Sequence, residues 1–298
     1  MIMDFIKAIV LGIIEGLTEF LPVSSTGHLI LANEFIFFSP KSFDNAFNII
    51  IQLGAILSVV VIYFNELNPF AKSKVEVNIG GNNCASHRAS GAVSLKRKWD
   101  LRDRKTMRLL AKIIIGVLPA IVLGLLFDDI IDKYLFNKVT VSIALIVYGI
   151  IIIIMENKNK NKTFTYNSID EIPIKIILII GLFQCLAMVP GTSRSAATII
   201  GAMLLGCSRT TAAEFSFFLA IPTMIGATGL KILKMGFAFS LHQWLIILLG
   251  GVVSFVVAYV VIVKFMDYIK KHDFKVFGVY RIILGIVVLG SYFISGLK

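Results

Sequence analysis

Two carboxylates four residues apart, Glu15 and Glu19, interrupt an apolar stretch near the start of the chain and share one helical face. Like charges so placed repel unless a cation, a proton or a positive side chain lies between them, which suits a divalent metal or a general acid–base pair. The chain then reads Pro22-Val23-Ser24-Ser25-Thr26-Gly27-His28, setting hydroxyls, a flexible backbone and an imidazole close together. Ser25 or Ser24 could attack phosphorus if a neighbouring base took its proton, and His28 or a glutamate could be that base. His28 could equally be the nucleophile or the leaving-group acid.

A second polar loop, Pro190-Gly191-Thr192-Ser193-Arg194-Ser195-Ala196-Ala197-Thr198, reads as an anion cradle. Its small residues expose N–H groups at the start of a helix from Ser195, where the dipole favours negative charge. Arg194 adds a guanidinium fork matched to phosphate oxygens, and the hydroxyls of Ser193, Ser195 and Thr198 can bond to the rest. A carboxylate pair, a nucleophile–base group and a cradle point together to phosphoryl transfer.

The elements that must position these loops are membrane helices. Hydrophobic residues make up 57% of the chain and charged residues 16%, with a mean hydropathy of +0.87. A bilayer core needs about 20 apolar residues per helical span. Six crossing helices are expected at Asn45–Phe64, Leu109–Phe127, Val139–Met155, Ala212–Leu233, Trp244–Phe265 and Val276–Ile294. The fold expected is thus an all-α integral membrane protein, its backbone groups bonded within each helix.

The two chemical loops sit differently. The apolar stretch Phe5–Ile14 is about half a span long before Glu15, and Pro22 ends the helix. Ala196–Leu205 is also too short to cross. Both units are expected to dip in and return as re-entrant hairpins, tolerated where they line a wet cavity. Glu15–His28 moreover resembles Gln184–Ser195: a polar residue, a short apolar turn, a proline and a hydroxyl-rich loop, each followed by an apolar helix. Such paired interruptions mark inverted repeats meeting at a polar site near midplane. The single membrane domain, residues 1–298, then divides into a repeat of about 1–131, carrying a basic cytoplasmic loop at 65–106, and one of about 137–298.

The formal charge of +11 is gathered in that loop and in the clusters Lys158/Lys160/Lys162 and Lys264/Lys270/Lys271/Lys275, all flanking spans. Membrane orientation explains this distribution, with these segments inside, and no nucleic-acid partner is expected. The acidic Asp128, Asp129 and Asp132 fall on the opposite face. Cys84, Cys185 and Cys207 make no paired framework, and the lone Cys84-x-x-His87 pair is a poor metal signal. No removable signal is expected at the N-terminus, where Asp4 interrupts the basic region and no A-x-A site follows the apolar stretch.

E-G-L-T-E-F-L-P-V-S-S-T-G-H together with P-G-T-S-R-S-A-A-T resembles the bacterial undecaprenyl pyrophosphate phosphatase family, also called the bacitracin-resistance protein family, and the likeness covers nearly the whole chain. It implies conversion of undecaprenyl pyrophosphate to undecaprenyl phosphate, recycling the carrier for cell-wall polymers in a bacterial plasma membrane. The family's E-x-x-x-E pair falls on Glu15 and Glu19, its S-S-T-G-H loop on Ser24, Ser25, Thr26, Gly27 and His28, and its P-G-x-S-R-S-x-x-T motif on Pro190 to Thr198. The resemblance further implies a divalent cation such as Mg2+ or Ca2+ on Glu15 and Glu19, a site facing outside, and a homodimer. Glu15, Glu19, Ser25, His28 and Arg194 are then the catalytic group. Ser24, Thr26, Gly191, Thr192, Ser193, Ser195 and Thr198 bind substrate.

Two other readings compete. A different lipid phosphatase class carries S-R-x(5)-H-x(3)-D, but Ser193-Arg194 is followed by A-A-T-I-I-G-A-M-L-L-G without that His or Asp. A transporter or flippase for a phosphorylated lipid or anion would suit inverted repeats. Binding an anion, however, gains nothing from two added carboxylates.

Overall fold

The computed structural model describes residues 2–69, 100–160, 162–235 and 239–296. The Cys84/His87 pair and most of the basic loop lie outside the described residues, as do the side chains of Asp128, Asp129 and Asp132. Among the described residues the structure is helical, with no strand beyond an isolated Tyr166–Cys207 bridge. The helices are α1 (Ile2–Thr18), α2 (Ser25–Ala32), α3 (Lys41–Ile62), α4 (Phe64–Leu67), α5 (Asp100–Tyr134), α6 (Lys138–Asn159), α7 (Ile174–Cys185), α8 (Arg194–Leu204), α9 (Arg209–Met235), α10 (Leu241–Ile269) and α11 (Lys275–Gly296).

Six of these, α3, α5, α6, α9, α10 and α11, are long and apolar enough to cross a bilayer, and each matches a span expected from the sequence. They bury only 17% to 44% of their apolar windows, leaving side chains such as Leu118, Leu125, Leu248 and Ile286 exposed. Exposed apolar faces on this scale require an apolar solvent. The remaining helices are too short: α7 has 12 residues and α8 has 11, lengths of about 18 Å against a hydrocarbon core of about 30 Å.

α1 differs from the sequence expectation. It carries Glu15, ends at Thr18 and so leaves Glu19 just beyond its last turn, short of the end at Pro22 that the sequence suggests. Glutamate is a good helix former, so its burial needs local compensation but does not break the helix. What makes the burial possible is close packing on α10: a Cβ at Gly16 would lie 2.6 Å from the Ser254 carbonyl oxygen, so only glycine lets the two backbones meet there.

The main core joins α3, α5, α7, α8 and α9 around the two polar loops, with Phe20, Val59, Val117, Ile180, Ala196, Phe215 and Phe217 among its buried members. On the side where α6 ends and α9 and α11 begin, the carboxylate of Glu156 accepts from Arg209 at 2.5 Å and from the Phe274 N–H at 3.0 Å. That pair fixes the ends of three spans against one another.

Candidate active site

Each polar loop turns at a serine. Ser24 has φ +73° and Ser193 has φ +70°, both in the left-handed region that non-glycine residues seldom occupy. Each serine also caps the helix that follows: Ser24 accepts from the Gly27 N–H and Ser193 from the Ala196 N–H, both at 3.3 Å. The residues just after the caps, Ser25 and Arg194, open α2 and α8. No acceptor is paired with the N–H groups of Ser193, Arg194 or Ser195 among the described residues, so the second loop presents donors and a positive helix end together. Gly191, at φ +92°, lets that loop pass the backbone of α6.

Glu19 links the two loops. Its Oε2 accepts from the Ser25 hydroxyl at 2.8 Å, and its Oε1 accepts from Nη2 of Arg194 at 3.1 Å. The ion pair is nearly sealed, its side chains 7% and 10% exposed. Arg194 is held further by donating Nη1 to the Ser216 carbonyl of α9 at 2.8 Å, which leaves its Nε–H without a partner. Behind it lies Phe20, with the guanidinium carbon 5.9 Å from the ring centroid.

Glu15 lies one turn below Glu19 with no exposure, and no donor reaches either of its carboxylate oxygens among the described residues. A buried carboxylate without partners is expensive unless protonated or bound to a cation. No group of three His, Cys, Asp or Glu side chains forms a metal cage among the described residues. Two carboxylates completed by phosphate oxygens and water nevertheless match how Mg2+ is commonly held. Glu15 and Glu19 are the residues that would hold such a cation beside a phosphorylated ligand.

His28 is placed apart from this group. Its Nδ1 lies 2.7 Å from the Ser24 carbonyl oxygen and its Nε2 lies 2.6 Å from the Tyr280 hydroxyl, against whose ring it stacks. Neither ring nitrogen is bonded to Ser25. Several hydroxyls are likewise engaged within the protein. Ser195 donates to the Leu21 carbonyl at 2.9 Å, and Thr198 donates to the Arg194 carbonyl at 2.9 Å while its oxygen lies 2.6 Å from the Ser216 hydroxyl. Ser24 serves as a cap, and Thr192 is fully buried.

A cavity of about 780 Å3 opens onto the site. Glu19, Ser25, Thr26, Gly191, Ser193 and Arg194 line its polar end, joined by Gln52 and Gln184. Its walls continue as an apolar groove between α5 and α9, formed by Val117, Ile121, Gly124, Leu125, Ile225 and Leu230. A charged headgroup with a long hydrocarbon tail fits this division.

Sequence reasoning did not single out Gln52, Ser216, Tyr280 or Arg281. Ser216 and Gln52 are ordinary polar residues within spans. Arg281, by contrast, carries the signal that drew attention to Glu15: an ionisable group inside an apolar segment.

The chain matches the bacitracin resistance protein BacA family over residues 8–287. It is 53% identical to undecaprenyl-diphosphatase 1 of Clostridioides difficile (strain 630), across 98% of both chains. It is 48% identical to the undecaprenyl-diphosphatase of Limosilactobacillus fermentum, again across 98% of both. With the undecaprenyl-diphosphatase of Fusobacterium nucleatum subsp. nucleatum it shares 52% identity, over 94% of this chain and 98% of that one.

Proposed function

The chain belongs to the bacitracin resistance protein BacA family, and from that premise we propose that it hydrolyses undecaprenyl diphosphate to undecaprenyl phosphate and phosphate between its two serine-capped loops. The observation that carries this reading is the bridge from Ser25 through Glu19 to Arg194, which sets a hydroxyl, a proton acceptor and an anion-binding cation at one end of a cavity that continues as an apolar groove.

The diphosphate enters the polar end, where Arg194 and the N–H groups of Ser193 to Ser195 receive its oxygens, and the prenyl chain lies in the groove between α5 and α9. Ser25 Oγ forms a bond to the terminal phosphorus while the bridging P–O bond breaks, so undecaprenyl phosphate departs with the electron pair. The Ser25 proton passes to Glu19 Oε2. Water then attacks the phosphoserine, releasing phosphate and restoring the hydroxyl. Fixed donors aimed at the phosphoryl oxygens supply most of the acceleration, as is usual for this chemistry. A divalent cation held by Glu15 and Glu19 would neutralise part of the phosphate charge.

The site opens on the outer face of the plasma membrane in this reading. The cavity extends towards Lys231 and Leu233 at the far end of α9 and Phe136 beyond α5. Most basic span ends (Lys105, Arg108, Lys158, Arg209, Lys270, Lys275) lie at the opposite ends of these helices. The matched caps at Ser24 and Ser193, followed by helices too short to cross, support reading both loops as re-entrant and related by an inverted repeat.

The test is phosphate release from undecaprenyl diphosphate by purified protein beside Arg194→Ala. Release that falls about 10²- to 10³-fold in the variant is expected from loss of a principal oxyanion donor. No release from folded wild-type protein would defeat the phosphatase reading and turn attention to transport.

A further inference from the structure

We propose that Arg281 is a positioning residue for this reaction, tying the main chains of the two catalytic loops together from behind; the inference rests on the phosphatase reading above. Arg281 lies within the α11 span, under two turns from its start at Lys275, with no exposure. A buried arginine inside a membrane segment normally answers a carboxylate. Among the described residues Arg281 pairs with none. Instead Nη1 donates to the Pro22 carbonyl at 3.2 Å, and Nη2 donates to the Gly191 and Thr192 carbonyls at 2.9 Å each.

The positions of those carbonyls decide the argument. Pro22 lies just before the Ser24 turn that delivers Ser25, and Gly191 and Thr192 lie just before the Ser193 turn that delivers Arg194. One planar fork therefore fixes both approaches to the two strained serines. Arg281 does not line the cavity, so its three bonds set the geometry of the loops without meeting the substrate. The neighbouring Tyr280 holds the other end of the first loop through His28, at 2.6 Å. Consecutive residues of α11 thus bracket the segment from Pro22 to His28.

The helix that carries this fork is firmly mounted. α11 lies along α6 through a glycine pair: a Cβ at Gly149 would fall 2.7 Å from the Gly278 carbonyl oxygen, and one at Gly278 would fall 2.8 Å from that of Gly149. The guanidinium stands 5.9 Å from the Tyr148 ring on α6. The second loop is consequently wedged between α6 and the arginine. Lysine could keep the charge at this place but not three directed bonds to two loops.

The experiment compares wild type, Arg281→Met and Arg281→Lys as purified full-length proteins hydrolysing undecaprenyl diphosphate, with kcat and KM measured separately and folding checked by size exclusion. Misplacement of reacting groups by roughly 1 Å costs about 10²-fold. Arg281→Met is expected to lower kcat by about 100-fold with KM changed less than about three-fold, and Arg281→Lys to fall between it and wild type. Either folded variant turning over within about three-fold of wild type, or a rise in KM alone, would overturn the assignment. If neither variant folds, Arg281 serves the fold as a whole and the assignment fails as well. An inactive wild type would instead overturn the phosphatase reading itself.

Discussion

The carboxylate of Glu19 accepts the hydroxyl hydrogen of Ser25 at 2.8 Å, while its other oxygen accepts from Arg194, 175 residues further along the chain. One carboxylate thereby holds a hydroxyl and a guanidinium beside the same space. This division of Glu19 between two partners is what makes the separate loops a single site.

His28 sits outside that division. Both its ring nitrogens are engaged, by the Ser24 carbonyl and the Tyr280 hydroxyl. His28→Gln should lower turnover by loosening the first loop while leaving the shape of the pH dependence of kcat as in wild type, because the imidazole takes no proton from Ser25 in this account. A pH profile that changes shape in His28→Gln would assign the base to histidine.

Glu15 is expected to act through a cation. EDTA should abolish phosphate release and Mg2+ should restore it. Glu15→Gln should raise the Mg2+ concentration needed for half-maximal activity by about 10- to 100-fold, the range seen when support for a metal site is lost. An unchanged Mg2+ requirement would remove Glu15 from any metal site and leave its burial to be explained by a proton.

The groove between α5 and α9 should read the length of the lipid. Gly124 lines it, and a Cβ there would meet no atom within 4 Å, so a side chain can start into the cavity without a backbone clash. Gly124→Phe should raise KM for undecaprenyl diphosphate by about 10-fold, since each displaced methylene is worth about 0.8 kcal/mol, and leave a short prenyl diphosphate almost unaffected. Equal effects on both substrates would place the tail elsewhere.

The sequence reveals much of this architecture because the bilayer restricts it so strongly. Spans such as Leu241–Ile269 follow from length and apolarity alone. The burial of Glu15 does not, since it depends on α10 packing against Gly16. At the site, residue types announce a carboxylate pair, a hydroxyl loop and a cradle, yet not which groups bond. That the Ser25 hydroxyl bonds Glu19 while the imidazole of His28 meets Tyr280, 252 residues away, is seen only in the fold. Ser195 and Thr198 look like phosphate ligands in the motif, but three-dimensional neighbours, the Leu21 carbonyl and Ser216, take their hydroxyls. Arg281 is visible in sequence as a charge within a span, while its role depends on carbonyls from two distant loops.

The most direct test of the account is the rate of phosphate release from undecaprenyl diphosphate by Ser25→Ala and Glu19→Gln, both measured against wild type at saturating substrate and Mg2+. Loss of the nucleophile and of its base should each lower kcat by at least about 10²-fold, and the double variant should be little worse than Ser25→Ala, because the two residues act as a unit. Ser25→Ala that retains a large part of wild-type turnover would contradict the account and show that water, not Ser25, attacks phosphorus.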